Sequence, residues 1–170
     1  MGKENKILAT PKAGWSRFLY NNDMRISYID DMPNEMLEKL ISSFRSKKPF
    51  CMTFDAEGYD YTILSYDNYD LECIMRKEEE AKVFLLPDNL KTFTEKVIYD
   101  IERNLCAWAK FPCDVEIGLE LEESKLKKEA KENGIKNIDY NFTESETFRS
   151  EKRKIERKLI VLKNLLEKQK

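Results

Sequence analysis

The sequence predicts an α+β fold: an antiparallel meander sheet of four to five strands, backed by two amphipathic helices, plus a C-terminal helix. Residues 50–86 hold four apolar runs in quick succession, with turn-forming residues between them. Connections this short place consecutive strands side by side and antiparallel. Segments with apolar residues at three- and four-residue spacing flank this stretch, which is typical of helices that cover a sheet.

Length and composition fit one domain. Of the 170 residues, 41% are hydrophobic and 36% are charged, so we expect a substantial core beneath a highly charged surface. We divide the chain into a flexible arm over 1–13, a single α+β domain over 14–142 and an amphipathic basic helix over 143–170. No apolar run approaches the roughly 20 residues that span a bilayer, and no signal peptide is evident. We therefore expect no membrane association and a cytoplasmic location.

The segment before the sheet is predicted to hold an aromatic anchor, a short strand and the first helix. Gly14–Tyr20 carries three aromatic residues, and Ile26–Ile29 alternates as a strand does. Asp31 is the predicted N-cap of a helix over 33–45, with Pro33 in its first turn. The apolar stripe of that helix comprises Met36, Leu37, Leu40, Ile41 and Phe44.

The four apolar runs are the predicted strands of the sheet. They are Phe50–Phe54, Tyr59–Tyr66, Leu71–Met75 and Ala81–Leu86. Gly58 lies in the first turn, where a positive φ is needed. Val115–Leu121 alternates apolar and charged residues, which predicts a fifth strand at an edge of the sheet.

The second helix is predicted over 89–109, after Pro87–Asn89 closes the sheet. Its stripe comprises Leu90, Phe93, Val97, Ile101, Leu105 and Trp108. A short polar helix is expected over Ser124–Asn133. The last helix, Glu144–Lys170, has a stripe formed by Phe148, Ile155, Leu159, Leu162 and Leu166. Two interpretations of this stripe stay open: it packs back onto the domain, or it forms a homodimer or partner interface.

Cysteine and histidine usage excludes several kinds of site. The chain has four cysteines, without a C-x-x-C pair, and no histidine. A mixed zinc site and the histidine-dependent catalytic triads are therefore excluded. We expect the cysteines to be small buried hydrophobic residues, the protein to need no cofactor, and the chain to have no enzymatic activity. They are Cys51, Cys73, Cys106 and Cys113.

One enzymatic alternative deserves comparison, a metal-dependent nuclease of the PD-(D/E)xK type. Glu80-Ala81-Lys82 matches the E-x-K element, Asp70 would be the preceding metal ligand, and Glu35 would contribute from the first helix. No Pro-Asp stands at the expected place, and Glu80 belongs to a run of three glutamates. A tripeptide of common residues is a weak signal.

Acidic residues concentrate in the predicted sheet. From Asp55 to Glu80 there are nine acidic residues and two basic ones. With the neighbouring tyrosines they predict a surface that binds a basic protein. Its predicted residues are Asp55, Glu57, Asp60, Tyr61, Tyr66, Asp67, Tyr69 and Asp70. The carboxylates of Asp55, Glu57 and Asp60 could alternatively hold a divalent cation, although capping of their own turn is the favoured interpretation.

The basic C-terminal segment is a weaker candidate for nucleic-acid binding. Arg149–Lys158 supplies phosphate-binding charge, but glutamates are interspersed in it and no aromatic residue accompanies the cations. Pairing of opposite charges on a solvated helix face is the favoured interpretation.

The run GWSRFLYNN, ISYIDDMP and FDAEGYDYTIL, followed by a long amphipathic helix, resembles the small cytosolic immunity proteins of bacterial polymorphic and contact-dependent toxin systems. The resemblance spans residues 14–110. It implies a protein without an active site that neutralises a basic nuclease toxin through an acidic face, and it transfers no individual binding residue.

Overall fold

The computed structural model describes residues 6–12, 14–20, 24–27, 32–66, 70–111, 128, 132 and 146–169. The strands are β1 (Trp15–Arg17), β2 (Arg25–Ser27), β3 (Cys51–Asp55), β4 (Asp60–Ser65), β5 (Asp70–Lys77) and β6 (Glu80–Asn89). The helices are α1 (Asn34–Ser46), α2 (Leu90–Arg103), α3 (Leu105–Ala109) and α4 (Glu146–Glu167). The predicted strand Val115–Leu121 and nearly all of the predicted helix 124–133 lie outside the described residues.

The predicted antiparallel meander is confirmed, with strand order β3-β4-β5-β6. Met52 pairs with Ile63, which pairs with Cys73 on its other side. The β3–β4 turn uses two residues with positive φ, Glu57 at 53° and Gly58 at 117°. Because glycine adopts such angles without steric cost, Gly58 suits this tight return.

One face of this sheet forms the core together with the helices. Its buried side chains are Met52, Phe54, Tyr61, Ile63, Leu71 and Cys73. They belong to the same cluster as the stripes of α1 and α2, which follow the predicted spacing. Consecutive residues point to opposite faces of a strand, so the alternate residues of β3 and β4 face away from this core.

The first described residues are part of the core rather than an arm. Ile7 and Leu8 are buried, and Leu8 forms a bridge with Phe18. The backbone N–H groups of Ile7 and Leu8 donate to Oδ2 of Asp100, at 2.7 and 2.8 Å. The flexible arm predicted over 1–13 is therefore wrong for residues 6–12, because two apolar side chains and a buried carboxylate hold them.

The second predicted helix is divided into α2 and α3 at Asn104. This residue has φ −123° and ψ 30°, outside the helical region. Its side-chain Nδ2 donates to the carbonyl oxygen of Asp100 at 3.1 Å. The prediction of one uninterrupted helix over 89–109 is therefore wrong. The helix is interrupted because the asparagine side chain competes for backbone hydrogen bonds.

Asn89 ends β6 and caps α2. Its Oδ1 accepts from the N–H of Thr92 at 2.9 Å. Since the capping oxygen satisfies a helical donor that has no other partner, we expect Asn89→Ala to lower the free energy of unfolding by about 1 kcal/mol. Thermal or urea unfolding measures this. Asn164→Ala, at an exposed position in the last turn of α4, is the control and should be neutral or slightly stabilising.

The apolar stripe of α4 packs within the chain, as the first of the two interpretations predicts. Phe148, Ile155, Leu159, Leu162 and Leu166 are all buried, and α4 contacts α1, α2 and α3. The use of this stripe as a homodimer surface is not supported, because the stripe is already covered. Within the described part of the chain, no helix is both long and apolar enough to cross a membrane.

Polar contacts accompany this packing. Asn34, which is buried at the start of α1, donates from Nδ2 to Oε2 of Glu151 at 3.1 Å. Its Oδ1 accepts from Nζ of Lys158 at 2.9 Å, and Lys158 also pairs with Glu38 at 2.8 Å. The interface between α1 and α4 is therefore apolar along its stripe and hydrogen-bonded at one end of α1.

Candidate protein-binding surface

The face of the sheet that points away from the core is the candidate site, which we call the open face. Its side chains are exposed or half-buried, whereas most of their sequence neighbours in the strands are buried. The open face comprises Cys51, Thr53, Asp55, Asp60, Thr62, Leu64, Asp70, Glu72, Ile74, Arg76, Ala81, Val83 and Leu85.

An apolar strip crosses the middle of the open face. Val83 is 61% exposed and Leu85 is 71% exposed. Val83 pairs across the ladder with Ile74, which pairs in turn with Thr62. Large apolar side chains that lie together at the surface are typical of contact sites, whereas scattered ones are ordinary.

One end of the strip is bordered by the β3–β4 turn. Asp55 and Asp60 stand opposite each other in the ladder, and Asp60 pairs on its other side with Arg76. Oδ1 of Asp55 accepts from the N–H of Glu57 at 2.7 Å, so Asp55 caps its own turn as the favoured interpretation predicts. Glu57 instead accepts from Oγ of Ser27 at 3.0 Å and lies in the turn that adjoins the face.

The other end of the strip carries Tyr66, Asp70 and Glu72. Tyr66 is 48% exposed, and its hydroxyl donates to Oε2 of Glu72 at 2.9 Å. This hydrogen bond to a carboxylate raises the pKa of the Tyr66 phenol. The tyrosine presents an amphipathic ring beside the acidic groups.

Five of the eight predicted binding residues lie on or beside the open face. Asp55, Asp60 and Asp70 lie on it, Tyr66 borders it, and Glu57 occupies the adjoining turn. Asp67 and Tyr69 lie outside the described residues.

The prediction for Tyr61 is wrong, because its side chain is fully buried. The Tyr61 ring stacks on Phe54 with centroids 5.0 Å apart and meets Phe18 edge-on at 6.4 Å. No part of this ring is available to a partner.

Sequence reasoning missed most of the open face, including Glu72, Val83 and Leu85, which the proposed binding uses. For Glu72, the alternation of side chains along a strand was a sufficient signal. Leu71 and Cys73 are the apolar residues of β5 and share one side, so Glu72 between them lies on the opposite side. For β6 the run Ala81–Leu86 is too uniformly apolar for alternation to identify its exposed residues.

The nuclease constellation is not assembled. Asp70 pairs with Asn89, whereas Glu80 pairs with Lys77, so the two carboxylates stand at opposite ends of the β5–β6 ladder. Seven residues of extended chain separate these ends by about 23 Å, too far for shared metal ligands. Within the described ranges, no group of three or more histidine, cysteine or acidic residues is placed to hold a metal ion.

The described cysteines differ in burial. Cys73 is buried, and burial raises the pKa of its thiol to about 12, so it is an unreactive core residue. Cys51 and Cys106 are exposed, which corrects the prediction that they are buried. Cys51 lies on the open face, on the same side of β3 as Thr53 and Asp55. Cys113 lies outside the described residues.

The arrangement offers contact area and charge, with no nucleophile–base pair among the residues described on the open face. Four carboxylates on this face, those of Asp55, Asp60, Asp70 and Glu72, accompany one guanidinium, that of Arg76. Comparisons of the chain with family models, with curated proteins and with solved structures find no match, so its functional interpretation rests on these contacts and charges.

Proposed function

We propose that this protein is a non-enzymatic binding module that holds a basic protein against the open face of its sheet. The observation that carries the proposal is the combination of an exposed apolar strip, Val83 and Leu85, with acidic groups at both of its ends. An apolar centre with a polar rim is the usual organisation of a protein–protein interface.

The charges on the open face favour a cationic partner. Carboxylates steer such a partner toward the face and increase the rate of association, with an effect that falls as salt is added. They also act against pairing of two identical open faces, because like charges would then meet. A basic partner is thus favoured over a second copy at this particular face.

The sequence resemblance to immunity proteins suggests the class of partner. We propose a basic toxin domain of the nuclease type, neutralised by occupation of its surface, with both proteins meeting in the cytoplasm. The support is the acidic open face together with the separation of Asp70 from Glu80, which leaves the nuclease alternative without an assembled site.

Charge reversal tests the proposal. We expect Asp60→Lys combined with Asp70→Lys to weaken binding of the basic partner from the native host by about tenfold or more at low salt. Since Asp60 stands beside Arg76, Asp60→Asn with Asp70→Asn is a milder second variant, for which we expect a smaller loss. Surface plasmon resonance at two ionic strengths separates association from dissociation rates.

The matched control changes the net charge equally at another place. Glu95→Lys with Glu167→Lys reverses two exposed carboxylates on α2 and α4, away from the open face. This control should bind nearly as the wild-type protein does. Equal losses in the two double reversals would indicate non-specific attraction, and unchanged affinity in folded open-face variants would refute the proposal.

A further inference from the structure

The outer edge of β6 is a long strand edge without a ladder partner in the described part of the chain. β6 is the last strand in the order β3-β4-β5-β6 and runs for ten residues, Glu80–Asn89, against a usual length of about five to six. The N–H and C=O groups along such an edge can pair with another strand.

The middle of this edge has few of the features that prevent strand pairing. Between Ala81 and Leu86, Lys82 is the single charged residue, while Val83 and Leu85 are exposed. Charged side chains, prolines and short length commonly protect edge strands. Here Pro87 protects one end, and the central residues form an apolar, β-prone segment.

We propose that β6 pairs antiparallel with β6 of a second copy of this chain, around a two-fold axis at Phe84. A two-fold interface must be self-complementary: when residue i faces residue j, residue j faces residue i. With the axis at Phe84, Val83 faces Leu85 of the partner subunit and Leu85 faces Val83 of the partner subunit. The two most exposed apolar residues of the strand thus cover each other.

Charge selects this register over one centred two residues earlier. An axis at Lys82 would oppose Lys82 to Lys82 of the partner subunit, and like charges directly opposite are destabilising. With the axis at Phe84, Lys82 faces Leu86 of the partner subunit, so its methylene groups can lie on an apolar neighbour. Glu80 then approaches Asp88 of the partner subunit, whose charge is offset by Lys96 at 2.7 Å in its own chain.

Such pairing joins two four-stranded sheets into one sheet of eight strands. The two open faces then lie side by side on the same side of the joined sheet, and the two-fold axis repeats their acidic ends. This interface is separate from α4, whose stripe is covered. It uses Val83 and Leu85, which also belong to the apolar strip of the proposed binding surface, so measuring self-association without any partner distinguishes the two proposals.

Two double variants of the full chain test both pairing and register. Val83→Lys with Leu85→Lys places like charges opposite each other twice across the axis. Val83→Glu with Leu85→Lys places opposite charges there twice. Both change the same two exposed positions, so effects on the fold itself are matched. Analytical ultracentrifugation over a wide concentration range, without any binding partner, measures the dimer dissociation constant.

We expect the wild-type chain to dimerise, the like-charge variant to raise the dissociation constant by about tenfold or more, and the opposite-charge variant to stay near wild type. High salt should reduce the difference between the variants. A wild-type chain that is monomeric over the whole concentration range overturns the proposal. This holds even if other residues of the same chain are found to cover the edge of β6. Equal weakening in both variants overturns the register.

Discussion

Ile155→Ala is expected to lower the free energy of unfolding by about 2–5 kcal/mol, the usual cost of truncating a large aliphatic side chain in a core. Ile155 is fully buried in the stripe of α4, and this helix contacts α1, α2 and α3. The truncation therefore leaves a cavity between α4 and the rest of the core. Urea unfolding followed by circular dichroism gives the free energy, and its m-value reports whether α4 still unfolds with the rest.

Ile160 supplies a matched control in the same helix. Its side chain is 60% exposed, and Ile160→Ala makes the same chemical change with the same gain in helix propensity. We expect a change within about 0.5 kcal/mol. Similar effects at Ile155 and Ile160 would contradict the docking of α4, and would return its stripe to the list of surfaces available to a partner.

Asp100→Ala is expected to be the most disruptive polar substitution, with a loss of about 2–5 kcal/mol. Oδ2 of Asp100 accepts both backbone N–H groups of Ile7 and Leu8, and these donors are buried. Alanine leaves both without an acceptor and releases the segment that places Ile7 and Leu8 in the core. Glu95→Ala on the exposed side of α2 is the control, expected to change stability little.

The same carboxyl predicts a pH dependence. Burial raises the pKa of Asp100 above its ordinary value of 3.8, and outweighs the opposing effects of the two backbone hydrogen bonds, Lys6 and Arg103. The folded state therefore prefers the protonated acid, and ionisation costs stability as pH rises through the folded pKa. Relative to Asp100→Asn, the wild-type protein should gain stability as pH falls from 7 toward 4.

The Asp100→Asn comparison isolates this one group because the remaining titratable residues are shared. Unfolding free energies at several pH values give the difference directly. The opposite result would be a wild-type protein that loses stability relative to Asp100→Asn as pH falls. It would contradict a raised pKa for Asp100 and would mean that the hydrogen bonds to the carboxylate outweigh its burial.

The order of the elements from α1 through β6 to α2 followed from the sequence because each depends on local signals, whereas β1 was expected as an aromatic anchor and not as a strand. The β3–β4 turn was predicted from Gly58, whose φ is 117°, and α1 and α2 from apolar spacing that the structure buries as expected. In β4, Tyr61 and Ile63 share one face while Thr62 and Leu64 share the other. That alternation was readable, and it would have assigned Tyr61 to the core.

Long-range contacts were not readable in this way. Asp100 stands three residues after Val97, on the buried side of α2, and a carboxylate there signals a polar partner without identifying it. Its partners, Ile7 and Leu8, lie more than 90 residues away. The open face likewise depends on which side of the sheet the helices cover. The sequence pattern did not identify Val83 and Leu85 as surface residues; the folded structure does.

The hydrogen bonds of Asn34 set the axial position of α4. The stripe residues Ile155, Leu159 and Leu162 recur at nearly every turn, so sliding the helix by one turn, about 5.4 Å, would still bring apolar side chains against α1. It would not preserve the contacts of Asn34 with Glu151 and Lys158, which lie two turns apart and reach the same buried amide. Apolar burial holds the helix on the domain, and the polar contacts of Asn34, together with the Lys158–Glu38 ion pair, favour one position along its length.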